Sequence, residues 1–169
     1  WRWAVGFSLL GSPLLGQMSN NAVWTRGVVG QLRFLYAEMR TEFAGCFYGV
    51  ERHDTTYIEI FVTSTTDPRQ ATESTVVHGS CPEIHTAKGT HLIGLGHSHI
   101  RRGSLCYPSD WDRATLKAWE HNGATFGAII CARGDSIMMF SEGFYGMLAV
   151  PSLDSLYAPW HTIVCLAST

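Results

Sequence analysis

The residues with the clearest chemistry are Glu42, the pair His97 and His99 around Ser98, and the run Ser109-Asp110-Trp111-Asp112. His97 and His99 close an apolar run. On a strand, residues i and i+2 share a face, so both imidazoles would point one way and Ser98 the other. Imidazole pairs joined by a carboxylate suit zinc, which takes N and O ligands tetrahedrally. Asp112 is the candidate third ligand. At about 100° per residue, Asp110, Arg113, Lys117, Glu120 and His121 fall on one helix face. Trp111, Asp112, Thr115, Leu116 and Trp119 fall on the other, which reads as the core face. A carboxylate directed there needs compensation, and a metal ion would supply it. Ser109-x-x-Asp112 also reads as a capping box, and both readings stand at this point. Three protein ligands leave one position for water, the mark of a catalytic rather than a structural zinc. Glu42, in a short apolar stretch, is a plausible base for that water.

Elements must exist to hold these groups. Residues 28–40 suit a helix packed on a sheet. Residues 42–50 and 57–64 are β-rich, with the polar turn 51–56 between them, and read as a hairpin. Residues 65–89 form a long polar connection containing two prolines, and such loops often carry function. Thr90 to Gly96 reads as a buried strand, with Gly94 and Gly96 leaving room for a neighbouring backbone or ligand. Residues 100–108 form a loop. Residues 109–121 form a helix closed by Asn122-Gly123. Strands follow at 124–132 and 136–141, then weaker ones near 144–150 and 161–166. This order implies a three-layer α/β or α+β fold with a mixed sheet. Residues 1–24 have no clear period and read as an N-terminal extension, leaving 25–169 as one domain, as 169 residues allow.

Composition narrows the function. The chain is 46% hydrophobic and 15% charged, with net charge −2. That excludes disorder. With no basic run longer than Arg101-Arg102, it argues against nucleic-acid binding. No stretch reaches the roughly 20 apolar residues of a membrane helix. The first residues, one charge and then an apolar run, also admit a signal-peptide reading. The five cysteines are widely spaced with no CxxC pair, which excludes zinc ribbons and thioredoxin-type motifs. Cys46, Cys131 and Cys165 lie in apolar runs and read as buried small hydrophobes. A reducing, cytoplasmic compartment is therefore expected.

Glu42-Phe-Ala-Gly45-Cys-Phe-Tyr-Gly49, Gly94-Leu-Gly-His97-Ser-His99 and Pro108-Ser109-Asp-Trp-Asp112 together resemble the motif of the JAMM (MPN+) zinc metalloproteases. The resemblance spans roughly residues 28–141 in order. Ile100 stands where proline usually follows the second His, and residues 100–108 make a longer gap than the usual seven. The resemblance implies a cytidine-deaminase-like three-layer sandwich. It implies His97, His99 and Asp112 as ligands of one Zn2+, Glu42 as general acid–base, and Ser109 as oxyanion donor. It implies hydrolysis of isopeptide or peptide bonds after the tail of ubiquitin or a ubiquitin-like protein. Such an extended tail can add to a sheet edge, and loops 65–89 and 100–107 are the places expected to receive it. Neighbouring domains or pathway proteins are further possible partners. Trimming of a sulfur-carrier protein is the alternative activity, and a latent or non-catalytic scaffold the alternative class.

Other features read blandly. Arg133-Gly134-Asp135 lies between two β-rich runs and fits a hairpin turn. Gly89-x4-Gly94 lacks the Lys-Ser/Thr of a phosphate loop. A nucleobase deaminase would need His-x-Glu with Pro-Cys-x-x-Cys, and neither is present. His78 and Cys81 are spaced like a second metal pair without further ligands. The remaining histidines and the aromatics Trp1, Trp3, Trp24, Phe144, Tyr145 and Trp160 read as surface, core or partner contacts.

Overall fold

In a computed structural model, the described residues are 21–53, 55–65, 67–72, 76–86, 89–100, 106–131, 136–141, 144–149 and 164–165. The expectations for Arg101-Arg102, for Arg133-Gly134-Asp135 and for the signal-like start lie outside them. The elements are β1 (Asn21–Trp24), α1 (Arg26–Glu38), β2 (Ala44–Arg52), β3 (Thr55–Thr63), β4 (His91–Ser98), α2 (Asp110–Trp119), β5 (Phe126–Cys131), β6 (Ser136–Ser141), β7 (Phe144–Ala149) and β8 (Val164–Cys165). One mixed sheet runs in the order β1-β3-β2-β4-β5-β6-β7-β8. The β1–β3 and β4–β5 pairs are parallel and the others antiparallel. The expected hairpin is β2–β3, and the expected layered α/β architecture is present. Among the described residues no helix is long and apolar enough to cross a membrane.

Alternation along the strands builds two cores. Phe43, Phe47, Ile58, Phe61, Ile93 and Phe126 face α1, where Val28, Val29 and Leu32 meet them. Cys46, Tyr48, Leu95, Ile129, Met138 and Phe140 face α2 and its Leu116. Thr25 caps α1, its hydroxyl accepting from the Val28 N–H, which supplies one of the orphan donors of a helix start. Trp24 lies in the α1-side core, 1% exposed, with its ring edge-on to Phe47 at 5.1 Å. Residues 21–24 thus belong to the sheet and not to an extension: their parallel register with residues 55–58 satisfies their backbone and buries the indole.

Two further expectations are corrected. The room beside Gly94 and Gly96 is taken by aromatic rings. A Cβ at Gly94 would lie 2.5 Å from the Phe126 ring, and one at Gly96 2.4 Å from the Phe47 ring. Trp111 is not on the core face of α2 but 77% exposed, and Leu116 is the helix's buried residue. A single short helix on a sheet buries a narrower stripe than a 100° wheel allots to it.

The cysteines also depart from expectation. Cys46 and Cys131 are buried as expected but are not free thiols: disulfides join Cys46 to Cys81 and Cys106 to Cys131. Cys81 is therefore unavailable for a second metal pair with His78. Crosslinks across 35 and 25 residues stabilise by roughly 3.5–4 kcal/mol each in the chain-entropy view. Such bonds persist in oxidising compartments, which removes the ground on which a cytoplasmic location was expected.

Candidate metal centre

The β4–α2–β5 crossover makes the site. Parallel strands leave a crevice beyond their carboxyl ends, and here His97 and His99 sit at the end of β4 while Ser109 and Asp112 start α2. Ala44 pairs with His97 across the β2–β4 ladder. Glu42 lies just before β2 and lines a depression with Leu35 of α1, Met39, Phe43 and Thr63. The Asp112 carboxylate is near enough to act on its charge.

The backbone around each histidine is tied. The His99 N–H donates to the Ile130 carbonyl at 2.9 Å, and the Tyr36 hydroxyl of α1 donates to the His99 carbonyl at 2.6 Å. Ser98, fully buried, turns away from the histidines as expected and has a task there. Its hydroxyl accepts from the Phe43 N–H at 3.0 Å, and its own N–H donates to the Phe43 carbonyl at 2.9 Å. The Glu42 N–H donates to the Thr72 carbonyl at 2.7 Å. The Ser98–Phe43 bonds hold the chain at Phe43 and the histidine strand in one register. The tasks of Tyr36 and Ser98 are not legible in the sequence, because neither type signals a backbone partner 63 or 55 residues away.

His97 Nε2 lies 3.1 Å from His99 Nε2 and 3.5 Å from Asp112 Oδ1. A tetrahedral ion with bonds of about 2.0–2.1 Å sets its ligand atoms about 3.3 Å apart. The donor set and the spacing therefore fit one ion: His97, His99 and Asp112 form a group able to hold a metal, all three ligand atoms lying within 4.8 Å of one another. The capping and ligand readings of Asp112 are compatible, because the carboxylate divides its oxygens. Oδ2 accepts from the Ser109 N–H at 2.6 Å and the Ser109 hydroxyl at 2.7 Å, and the Asp112 N–H returns to Ser109 Oγ at 3.3 Å. Oδ1 remains for the ion. The cap thus orients the ligand, as outer partners commonly do at metal sites.

Charge follows burial. Glu42 is 4% exposed, and burial, reinforced by the Asp112 carboxylate, pushes its carboxyl up to about 7. Burial holds His97 down to about 4, with Asp112 opposing and His99 adding to the depression. Burial likewise holds His78 at about 4, with His97 adding to the depression and Asp112 opposing. Neutral imidazoles and an ionised carboxylate are the forms that ligate.

These shifts fix a pH dependence for the metal-free protein. Two depressed histidines contribute stability above pH 6.5 that is lost as pH falls toward 4. The raised Glu42 acts oppositely: its contribution is full below 4.5 and lost as pH rises through about 7. Two groups outweigh one, so the Tm of metal-free protein should fall between pH 6.5 and 4. A thermal melt series that stays level or rises toward acid would contradict this account.

A depression of about 130 Å³ opens beside the ligands, lined by Val77, His78, His97, Trp111, Asp112 and Thr115 among others. No protein-family model and no curated protein matches the chain. A solved JAB1/MPN domain protein from Archaeoglobus fulgidus is similar to it at 16% identity, over 70% of this chain and 88% of that one, with a TM-score of 0.45.

Proposed function

We propose that this chain is a zinc-dependent peptidase of the JAMM type, hydrolysing the isopeptide or peptide bond after the C-terminal tail of ubiquitin or a ubiquitin-like protein. The observation that carries the reading is the ligand spacing of 3.1 and 3.5 Å around His97 Nε2, beside a buried Glu42 carboxyl close enough to feel the Asp112 carboxylate. Zinc bound there would bring the pKa of a water to about 7 and polarise the scissile carbonyl. Glu42 would accept a proton from the attacking water and return it to the leaving amine. A carboxyl raised to about 7 suits both halves of that exchange near neutral pH. Ser109 donates to the developing oxyanion, a contribution on the order of 10²–10³ in rate at comparable sites. Its hydroxyl is engaged with Asp112 Oδ2, so this role requires the hydroxyl to turn. The Ser109 N–H meanwhile keeps Asp112 in place. That engagement is the one observation favouring a latent resting state, released when substrate or a partner arrives.

The surroundings suit a protein tail. Among the described residues the exposed large apolar side chains include Val77 (55%), Tyr107 (55%) and Trp111 (77%). Val77 and Trp111 line the same depression as His97 and Asp112, and Tyr107 precedes Ser109 by two residues. Trp111→Ala should raise KM for a tail substrate several-fold with kcat and zinc content little changed. A loss confined to kcat would place Trp111 elsewhere in the reaction.

Zinc is the ion that this donor set favours, and the two disulfides favour an oxidising compartment. The test is a metal analysis together with a fluorogenic tail-peptide assay, run with and without chelator. One zinc per chain and chelator-sensitive cleavage support the peptidase. Zinc without cleavage supports the latent form, and neither supports a scaffold. Preference for a sulfur-carrier tail over a ubiquitin tail would shift the substrate to the alternative.

A further inference from the structure

His78 has no place in the assignment above, yet it stands at the metal centre. It comes from the long connection between β3 and β4, a segment that belongs to no named strand. That segment is fastened closely between residues 78 and 82. Thr65 and His78 form an isolated antiparallel bridge. The Gly79 N–H donates to the Ser64 carbonyl at 2.7 Å, and the Ser64 hydroxyl donates to the Ser80 carbonyl. Cys81 is bonded to Cys46 in the floor of the α2-side core, and the Tyr48 hydroxyl donates to the Pro82 carbonyl. A connection that served only to link two strands would not need attachments at four successive residues, 79 to 82. Flexible loops run over the surface with their polar groups in water.

The attachments bring one imidazole to the ligands. The ring of His78 meets that of His97 edge-on, centroids 6.3 Å apart and planes at 89°. The same side chain lines the depression with His97 and Asp112. Its nitrogens are not part of the group that spans 4.8 Å, so its contact with the ligand set is through the ring of His97. Ligands of a metal are commonly held by such outer partners, whose loss costs about 10–100-fold in affinity.

We propose that His78 is a positioning residue of the metal centre, fixing the ring of His97 from the strap 78–82, and that the Cys46–Cys81 disulfide is what holds the strap there. The inference rests on the metal-binding reading of His97, His99 and Asp112 and adds to it a fourth residue and a covalent support. It also makes the competence of the site depend on an oxidised cysteine pair remote from it in sequence.

The experiment uses the full chain, stripped of metal and titrated with Zn2+ against a chromophoric chelator, then with Co2+ to record the visible ligand-field bands. His78→Ala should weaken zinc binding by about 10–100-fold and alter the Co2+ spectrum, while the metal-free Tm changes little. Cys46→Ala with Cys81→Ala, leaving Cys106–Cys131 intact, should weaken zinc binding comparably. Combining all three changes should cost no more than either set alone, because both act through one side chain. Wild-type affinity and an unchanged Co2+ spectrum in His78→Ala would overturn the proposal. So would a loss of affinity that merely tracks a loss of metal-free stability, or strictly additive losses. Wild-type protein that binds no zinc would overturn the metal centre itself, and that result is visible before any variant is made.

Discussion

Glu42→Gln should retain one zinc per chain and lose tail-peptide hydrolysis by a factor on the order of 10²–10⁴, the range over which a positioned acid–base group acts. The amide keeps the shape of the side chain and cannot take a proton. The substitution also removes a carboxyl that burial and Asp112 already disfavour in its charged form. The metal-free protein should therefore be no less stable at pH 8 than the wild type. Three measurements separate the roles: zinc stoichiometry, substrate binding to the inactive protein, and turnover. If the variant cleaves at the wild-type rate, Glu42 is not the base. If it loses zinc instead, Glu42 supports the ligands and the proton-transfer role must be reassigned.

Asp112→Ala should have the second large effect, because it removes two functions at once. Oδ1 faces His97 Nε2 at 3.5 Å, and Oδ2 accepts two hydrogen bonds from Ser109. Loss of the first should take zinc affinity down by more than the 10–100-fold expected for an outer partner. Loss of the second should cost about 1 kcal/mol as a lost helix cap. Ser109→Ala isolates the second effect, since it deletes the two hydrogen bonds of the hydroxyl while leaving the carboxylate and its bond from the Ser109 N–H. It should lower stability by a similar amount, keep zinc at one per chain, and slow turnover by about 10²–10³ if the hydroxyl stabilises the oxyanion. Equal zinc loss in the two variants, read by metal analysis after dialysis, would mean that Asp112 acts only through the cap.

The contrast between these variants shows how much of the site was legible beforehand. The period of a strand placed His97 and His99 on one face and Ser98 on the other, and the structure agrees. The capping signature placed the start of α2 at Ser109. Asn122-Gly123 reads as its close, but α2 stops earlier, at Trp119. A 3₁₀ turn, Glu120–Asn122, carries the chain to Gly123, which takes a left-handed conformation with φ 99°. What stayed ambiguous was Asp112, because a sequence names a carboxylate once and cannot apportion its two oxygens. Trp111 was misplaced for a related reason. A helical wheel shows which residues share a side but not how much of that side the sheet below can cover.

Local order in this chain, then, is written in its amino acids. The alternation of strands, the turn between β2 and β3, the capped helix and the shared face of His97 and His99 all follow from covalent periodicity and from backbone groups served by near neighbours. Tertiary structure alone decided the rest. It joined Cys46 to Cys81 and Cys106 to Cys131, drew Asn21–Trp24 into the sheet beside β3, tied Ser98 to Phe43, and laid His78 against His97. Each of these depends on where the chain returns after tens of residues. That return is set by which apolar faces must be buried together, and no spacing within a single segment encodes it.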